Sequence, residues 1–467
     1  MVLFDDVLVI AESQIKAWTD YPSVKEVTLI RDVFGHIAVL ISSTISDRRS
    51  LEQSLEQLSM DLQNTLGYYF SGRVYYKEKS KQNDLEKEIV KEIERLRHQS
   101  NTDGTCTWYV LERTIAKKAW LDQIGNRQPI WEYEKSCAGQ KPKVVSFYSF
   151  KGGMGRTTSL AASALLLAKK GYNVLAIDTD IEAPGLSTFF FDDSHIVKGT
   201  VDFFVEYQAN EFYAPDMLDY LIEVHDVSLK EEIPGEIFII PAGQTDKPYL
   251  SKLARIDYQD IKPDGMRNTV VRLIEHATEF LQQKGKNVDY ILLDARAGFH
   301  DMGGVVTFQI PHGIVLVGRD NRQSWSGIKE AISLAGTTQI GRIPFVLVDS
   351  MCDVIPRIAK QQRDSFKAQA YSLCCDLYYL ETEAQPGLEA TDEPHTPVYI
   401  PYNPLLNEEI CLYSDGSQET TDQVIAAKNA LCAKEYQDLV QRICAWFGSV
   451  SEEGEECNVT TEEICNS

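Results

Sequence analysis

Several things are missing from this 467-residue chain. Its ten cysteines contain no C-x-x-C pair, so zinc-ribbon and zinc-finger spacings are excluded. Cys374 and Cys375 are adjacent, a poor arrangement for a mutual disulfide, and the expectation is reduced thiols, mostly buried. No apolar run reaches the roughly eighteen residues that a membrane-spanning helix needs. The opening "MVLFDDVLVIAES" has no basic residue before Lys16 and is not shaped like a secretory signal. No segment repeats. Positive charge is also scarce: Lys+Arg number 46 against 69 Asp+Glu, a formal charge of −23. That argues against a surface coated for nucleic acid or anionic lipid, though not against a local basic patch. A cytoplasmic location is the expectation.

What is present is enough apolar residue, 43%, to bury more than one core. Residues 1–140 mix strand-like and helix-like stretches and read as a small α+β domain of sensor or partner-binding type. "EVTLIRDVFGHIAVLIS" (26–42) reads as a hairpin turning at Phe34-Gly35. Residues 46–66 and 82–99 have helical periodicity, the first capped by Ser46 or Asp47. "GYYFSGRVYY" and "CTWYVLERTI" read as strands, and the polar stretch 136–143 as a linker.

Residues 144–448 read as a second domain. Short strands rich in Val, Ile and Leu ("VVSFYSF", "NVLAID", "EIFII", "DYILLD", "GIVLVG", "IPFVLVDS") alternate with helices. Strands apolar on both faces imply an α/β fold, a mostly parallel sheet with helices on both sides. The tail 451–467 holds six glutamates and no basic residue and is expected to be disordered.

Chemistry concentrates in "FYSFKGGMGRTTS" (147–159). Gly152, Gly153 and Gly155 lie between a predicted strand and a predicted helix. Glycines there let backbone N–H groups turn toward phosphates, with the helix dipole behind them. The plain pattern G-x-x-x-x-G-K-[ST] is altered twice: Phe150 replaces the first glycine, and Arg156 replaces the lysine. Thr157 stands where a hydroxyl meets Mg²⁺. Asp178, Asp180 and Asp294 end neighbouring strands, as carboxylates that hold Mg²⁺ and place an attacking water do.

Together "KGGMGRTT", "DTDIEAPGL", "IIPAG" and "ILLDARAG" resemble the deviant Walker A ATPases of ParA/MinD type, in their KGG-x-GR-bearing bacterial form. The resemblance spans about residues 144–410 and leaves residues 1–140 without a family. It implies ATP and Mg²⁺, held by Gly152, Gly153, Met154, Gly155, Arg156, Thr157 and Thr158, with Thr157, Asp178 and Asp294 at the metal. It implies that Lys151 reaches across a nucleotide-sandwich homodimer to the partner's phosphates, that Asp180 orients the hydrolytic water, and that Gly298 moves with nucleotide state. Pro401 and Asn403, in "PYNP", resemble the loop beside the base.

Arginine grips two phosphate oxygens at once but is bulkier than lysine. Binding should survive, while hydrolysis of ATP to ADP and phosphate should be slow or confined to the dimer. Asp349 reads equally as a purine contact or a loop cap.

The expected role is an ATP–Mg²⁺-dependent dimerising switch that signals to a protein partner through residues 1–140, in bacterial defence or regulation. Two alternatives stay open: a DNA-associated partition or positioning ATPase, and a non-hydrolysing nucleotide-bound scaffold. For DNA, the relevant feature is Arg357, Lys360, Arg363 and Lys367, which share one face of a predicted helix. A solvated face is the ordinary reading of such a helix, and the charge of −23 disfavours DNA. The acidic C-terminus disfavours membrane binding.

Overall fold

The structure is a computed structural model that describes residues 2–45, 48–77, 84–104, 106–121, 129–132, 141–225, 233–256, 265–336, 341–380, 384–406, 410–414 and 417–447. The expected cap at Ser46 or Asp47, most of the 136–143 linker and the acidic tail lie outside the described residues. The chain divides into two units, 1–116 and 117–467.

In the first unit, α1 (Val7–Lys16) and α2 (Arg48–Leu66) lie on a sheet that has five strands among the described residues, in the order β3-β2-β1-β5-β4. Its strands are β1 (Val24–Arg31), β2 (Ile37–Ser43), β3 (Phe70–Tyr76), β4 (His98–Asp103) and β5 (Cys106–Glu112). The β1–β2 hairpin turns at Gly35, whose φ of +90° suits glycine. Alternation along β1 explains the two sides of the sheet. Val27 and Leu29 join the core beneath α1 and α2, whereas Ile30 meets Val90 and Ile93 of α3 (Asp84–Leu96).

Two elements depart from the sequence reading. The second helix ends at Leu96, and the residues after it form β4, antiparallel to β5. α1 was not foreseen; its buried Val7, Ala11 and Ile15 recur at helical spacing.

The second unit begins at Lys117 with a single turn, α4 (Lys118–Leu121). Its sheet has eight strands among the described residues, in the order β13-β12-β11-β6-β10-β7-β9-β8. They are β6 (Lys143–Ser149), β7 (Val174–Asp178), β8 (Ile222–Glu223), β9 (Ile237–Ile240), β10 (Tyr290–Asp294), β11 (Gly313–Gly318), β12 (Phe345–Cys352) and β13 (Val398–Pro401). The pairings are parallel except that β8 runs against β9.

One face packs on α5 (Arg156–Lys169), α12 (Gln418–Leu431) and α13 (Lys434–Ala445). The other face carries α6 (Thr200–Ala209), α8 (Gly265–Gln283), α9 (Asp301–Phe308), α10 (Arg322–Gly336) and α11 (Pro356–Leu377). The short α7 (Lys247–Leu253) packs beside α6. With this arrangement the second unit is an α/β fold, a mostly parallel sheet with helices on both faces.

Placement of the site follows from the strand order. β6 is central, with β10 on one side and β11 on the other, so the chain's direction of travel across the sheet changes there. In open α/β sheets, ligands bind beyond the carboxyl ends of the strands at such a point. The loop of glycines leaves β6 there and feeds directly into α5. That helix is buried on nearly all sides, with Leu160, Ala161, Ala162, Ala164, Leu165 and Leu167 fully covered, so its first turn is held rigidly. No helix among the described residues is long and apolar enough to cross a membrane.

Candidate functional site

The loop's geometry follows its glycines. Gly153 and Gly155 have φ of +71° and +76°, left-handed values costly for residues with a Cβ. A Cβ added at Gly152, Gly153 or Gly155 would meet no atom within 4 Å, so the loop faces open space on that side. Phe150, in place of the first glycine, is accommodated from outside. Its ring lies where Gly327 of α10 would carry a Cβ, 2.0 Å from Phe150 Cγ.

Arg156 turns back from the loop into the acids. Its Nε donates to Asp294 Oδ1 at 2.6 Å, and its Nη2 donates to Asp180 Oδ2 at 2.8 Å. Burial opposes the guanidinium charge, but Asp294 and Asp180 outweigh that and hold its pKa above the ordinary value. Thr157 Oγ1 donates to the other oxygen of Asp294 at 2.8 Å.

Asp294 and Asp178 are paired in register on β10 and β7 and are fully buried. Burial raises both carboxyls: Asp178 to about 7, with the charge of Asp294 adding, and Asp294 upward against the opposing pull of Arg156 and Thr157, with Asp180 adding. Both Asp178 oxygens are engaged by backbone: Oδ1 by the Asp180 N–H at 3.0 Å, and Oδ2 by those of Gly185 and Leu186 at 3.1 Å. Asp178 thus shapes the loop that presents Asp180.

Lys151 is exposed and has no side-chain partner among the described residues. Among those residues no group of three His, Cys, Asp or Glu forms a metal cluster. The Thr157–Asp294 pair supplies two hard oxygens, which fits Mg²⁺, an ion that takes few protein ligands and relies on substrate phosphates.

A small pocket of ≈ 40 Å³ opens beside the loop. Met154, Gly155 and Thr158 form one wall; Ser350, Met351, Pro401, Tyr402 and Asn403 form the other. The structure therefore brings together phosphate-loop and PYNP residues that are some 245 positions apart in the sequence. Asn403 Oδ1 caps the following turn by accepting from the Leu405 N–H at 3.1 Å.

Asp349 is not among the residues lining the pocket. Ser350 and Met351, one and two residues further on, are. Met351 has φ of +53° at an irregularity in the β12–β13 pairing, a strained position that the sequence does not signal.

Sequence reasoning also missed Arg296 and Glu182. Arg296 donates to Asp180 Oδ1 and to Glu182 Oε2, each at 2.9 Å, and Glu182 Oε1 lies 2.7 Å from His300 Nε2. The signal was available in "DARAG", where an arginine two residues past a strand-end acid cannot lie far from it.

Residues 145–363 match the family described as the CobQ/CobB/MinD/ParA nucleotide binding domain. This segment is a nucleotide-binding domain of ParA/MinD type. The domain is similar to the chloroplast septum site-determining MinD homologue of Arabidopsis thaliana, at 43% identity over 72 residues, 14% of this chain and 22% of that protein. It is also similar to the septum site-determining protein MinD of Buchnera aphidicola, at 27% over 157 residues, 33% of this chain and 45% of that protein. The chain spans between 18% and 45% of the length of the curated relatives it matches. Among solved structures, MinD of Pyrococcus horikoshii complexed with Mg-ADP aligns at TM-score 0.40 and 17% identity, covering 66% of this chain and 98% of that one. The structure of pNOB8 ParA bound to nonspecific DNA aligns at TM-score 0.42 and 15% identity, covering 65% and 98%.

Proposed function

We propose that the chain is a nucleotide-operated switch. It binds ATP at the 151–158 loop, pairs with a second copy in the bound state, hydrolyses the nucleotide slowly and passes its state to a protein partner through the N-terminal unit. The observation that supports this best is the buried Arg156 guanidinium held by Asp294 and Asp180 at the mouth of a glycine loop that faces open space.

In this reading the loop N–H groups and the α5 dipole take the phosphates. Thr157 and Asp294 would hold Mg²⁺, which when bound supplies positive charge to the phosphate oxygens. Asp178 keeps the 180–186 loop in place, and Asp180 orients water. Lys151, exposed at the front of the loop, is free to reach a partner's phosphates, the reach the family resemblance implies. Met154, Thr158, Pro401 and Asn403 flank the base. At ≈ 40 Å³ the pocket there would have to widen to take a purine.

Calorimetric titration with ATP and GTP in magnesium buffer, followed by molecular-mass measurement, tests the reading. The expected result is saturable ATP binding and a doubling of mass. A chain that binds no purine triphosphate would end it.

A second reading, a DNA-associated positioning ATPase, is favoured by α11. Arg357, Lys360 and Arg363 are exposed there beside exposed Val354, Ile355 and Ile358. Lys367 is instead paired with Glu389 at 2.8 Å. ATP-dependent DNA binding that weakens steeply with salt and is lost in Arg357→Ala/Lys360→Ala/Arg363→Ala would establish it.

A further inference from the structure

A line of hydrogen bonds leads away from the phosphate loop and ends where the second unit begins. Arg156 Nη2 donates to Asp180 Oδ2 at 2.8 Å, and Arg296 Nη1 donates to the other oxygen of the same carboxylate at 2.9 Å. Arg296 Nη2 meets Glu182 Oε2 at 2.9 Å, and Glu182 Oε1 meets His300 Nε2 at 2.7 Å. His300 Nδ1 accepts from the Met302 N–H, which assigns the ring hydrogen to Nε2, directed at Glu182.

The carbonyl of His300 accepts from Trp120 Nε1 at 2.7 Å. The next residue, Asp301, takes both the backbone N–H and the Nζ of Lys117, the latter at 2.9 Å. Lys117 and Trp120 belong to the short stretch that opens the second unit, directly after Ala116.

The docking of that stretch is tight. The Trp120 ring meets Phe299 edge-on at 4.9 Å, Phe308 at 5.2 Å and Tyr148 at 5.5 Å. Gly304 of α9 makes room for it: a Cβ there would come within 2.8 Å of Ala119 Cβ and Trp120 Nε1. Lys117 itself has φ of +66°, a conformation held by its double contact with Asp301.

We propose that residues 117–121 are a strap that reads the state of the phosphate loop through Asp180, Arg296, Glu182 and His300, and hands that state to the N-terminal unit along the chain. This rests on the reading that the loop binds a nucleoside triphosphate. The physical reason is competition for Arg156. Phosphate oxygens offer its guanidinium a bidentate partner. Every arginine that leaves Asp180 throws more of that carboxylate onto Arg296, and Arg296 is shared with Glu182. The network is buried at Arg156 and Asp180 and reaches the surface at Glu182, and because each member shares its partner with the next, moving one changes what its neighbour can pair with, so the members shift together. The segment they move is 296–301, and Trp120 and Lys117 are attached to it.

Hydrogen exchange on the full chain, with and without ATP–Mg²⁺, tests the strap in wild type, Glu182→Gln and Lys117→Ala. In wild type, saturating ATP should protect 151–158 and change exchange at 117–121 by about tenfold, within the usual range of coupling between sites. In Glu182→Gln the protection of 151–158 should persist while the response at 117–121 falls below about twofold. Coupling is reciprocal, so Lys117→Ala should shift ATP affinity by the factor by which ATP shifts the strap.

Protection of 151–158 with no change at 117–121 would overturn the proposal, as would an undiminished response in Glu182→Gln. If no triphosphate protects 151–158, the nucleotide reading falls instead. The relay is then judged on the nucleotide-free proteins, where Glu182→Gln must speed exchange at 117–121 over wild type, and equal rates refute it.

Discussion

Arg156 Nε lies 2.6 Å from Asp294 Oδ1, so the residue in the loop's lysine position is tied to the acid at the end of the neighbouring strand. The pair is almost wholly excluded from solvent. Removing only the cation leaves Asp294 and Asp180 buried against each other. Arg156→Met is therefore expected to cost about 3–5 kcal/mol of stability at pH 7, the range for breaking a buried ion pair. Adding Asp294→Asn should recover part of that loss, because the two residues act as one network. Urea denaturation of the single and double variants checks both expectations. Equal stability of wild type and Arg156→Met would show that the guanidinium does not hold the acids in solution.

Lys151 gives the opposite expectation. It is exposed and has no side-chain partner among the described residues, so Lys151→Ala should alter stability by no more than about 0.5 kcal/mol. If Lys151 reaches a second copy's phosphates, the same variant should bind ATP yet fail to double in mass. Light scattering with and without ATP–Mg²⁺ reads this directly. A variant that still dimerises would remove the cross-subunit role.

Phe150 and Gly327 form a matched pair. The Phe150 side chain fills the position of the missing Cβ, so Gly327→Ala must push the ring and with it the loop. A loss of about 1–3 kcal/mol is expected, the usual cost of overpacking. In a Phe150→Gly background the sign should reverse. Glycine removes the Phe150 Cβ as well as the ring, both of which the new Cβ would otherwise meet, and alanine exceeds glycine in a helix by about 1 kcal/mol. A double-mutant cycle by thermal denaturation separates the two contributions, and additive effects would contradict the match.

The α/β sheet was legible because each strand is a short apolar run and each crossover a helical pattern. The phosphate loop was legible because positive-φ glycines between strand and helix have few other uses. Other features left no such trace. β4 is built from "HQSNTD", exposed throughout, and exists because β5 offers it a free edge. Periodicity cannot report an element with no buried face. The direction of the Arg156 side chain, away from the loop and into the acids, depends on strand register, which brings Asp294 level with Asp178. Met351 owes its left-handed backbone to a pairing irregularity between distant strands. The Trp120 contact needs Gly304, 184 residues away, to lack a Cβ.

Asp349 offers a test by pH. It is 3% exposed near the end of β12, and its Oδ2 has no hydrogen-bond partner among the described residues. Burial pushes its carboxyl up to about 7, with Asp320 adding to the shift and Arg319 and Arg363 opposing it. An unfolded aspartate titrates near 3.9. Between those two values the folded chain keeps a proton that the unfolded chain has lost. Stability from this group is therefore complete below about pH 4 and is lost as pH rises through about 7. Asp349→Asn removes the ionisation. The variant should exceed wild type by about 2–4 kcal/mol at pH 8, and the gap should be about half as large at pH 5.5. Denaturant midpoints at the two pH values, with unchanged slopes, measure it. A variant less stable than wild type at pH 8 would mean that the carboxylate is ionised and partnered in solution.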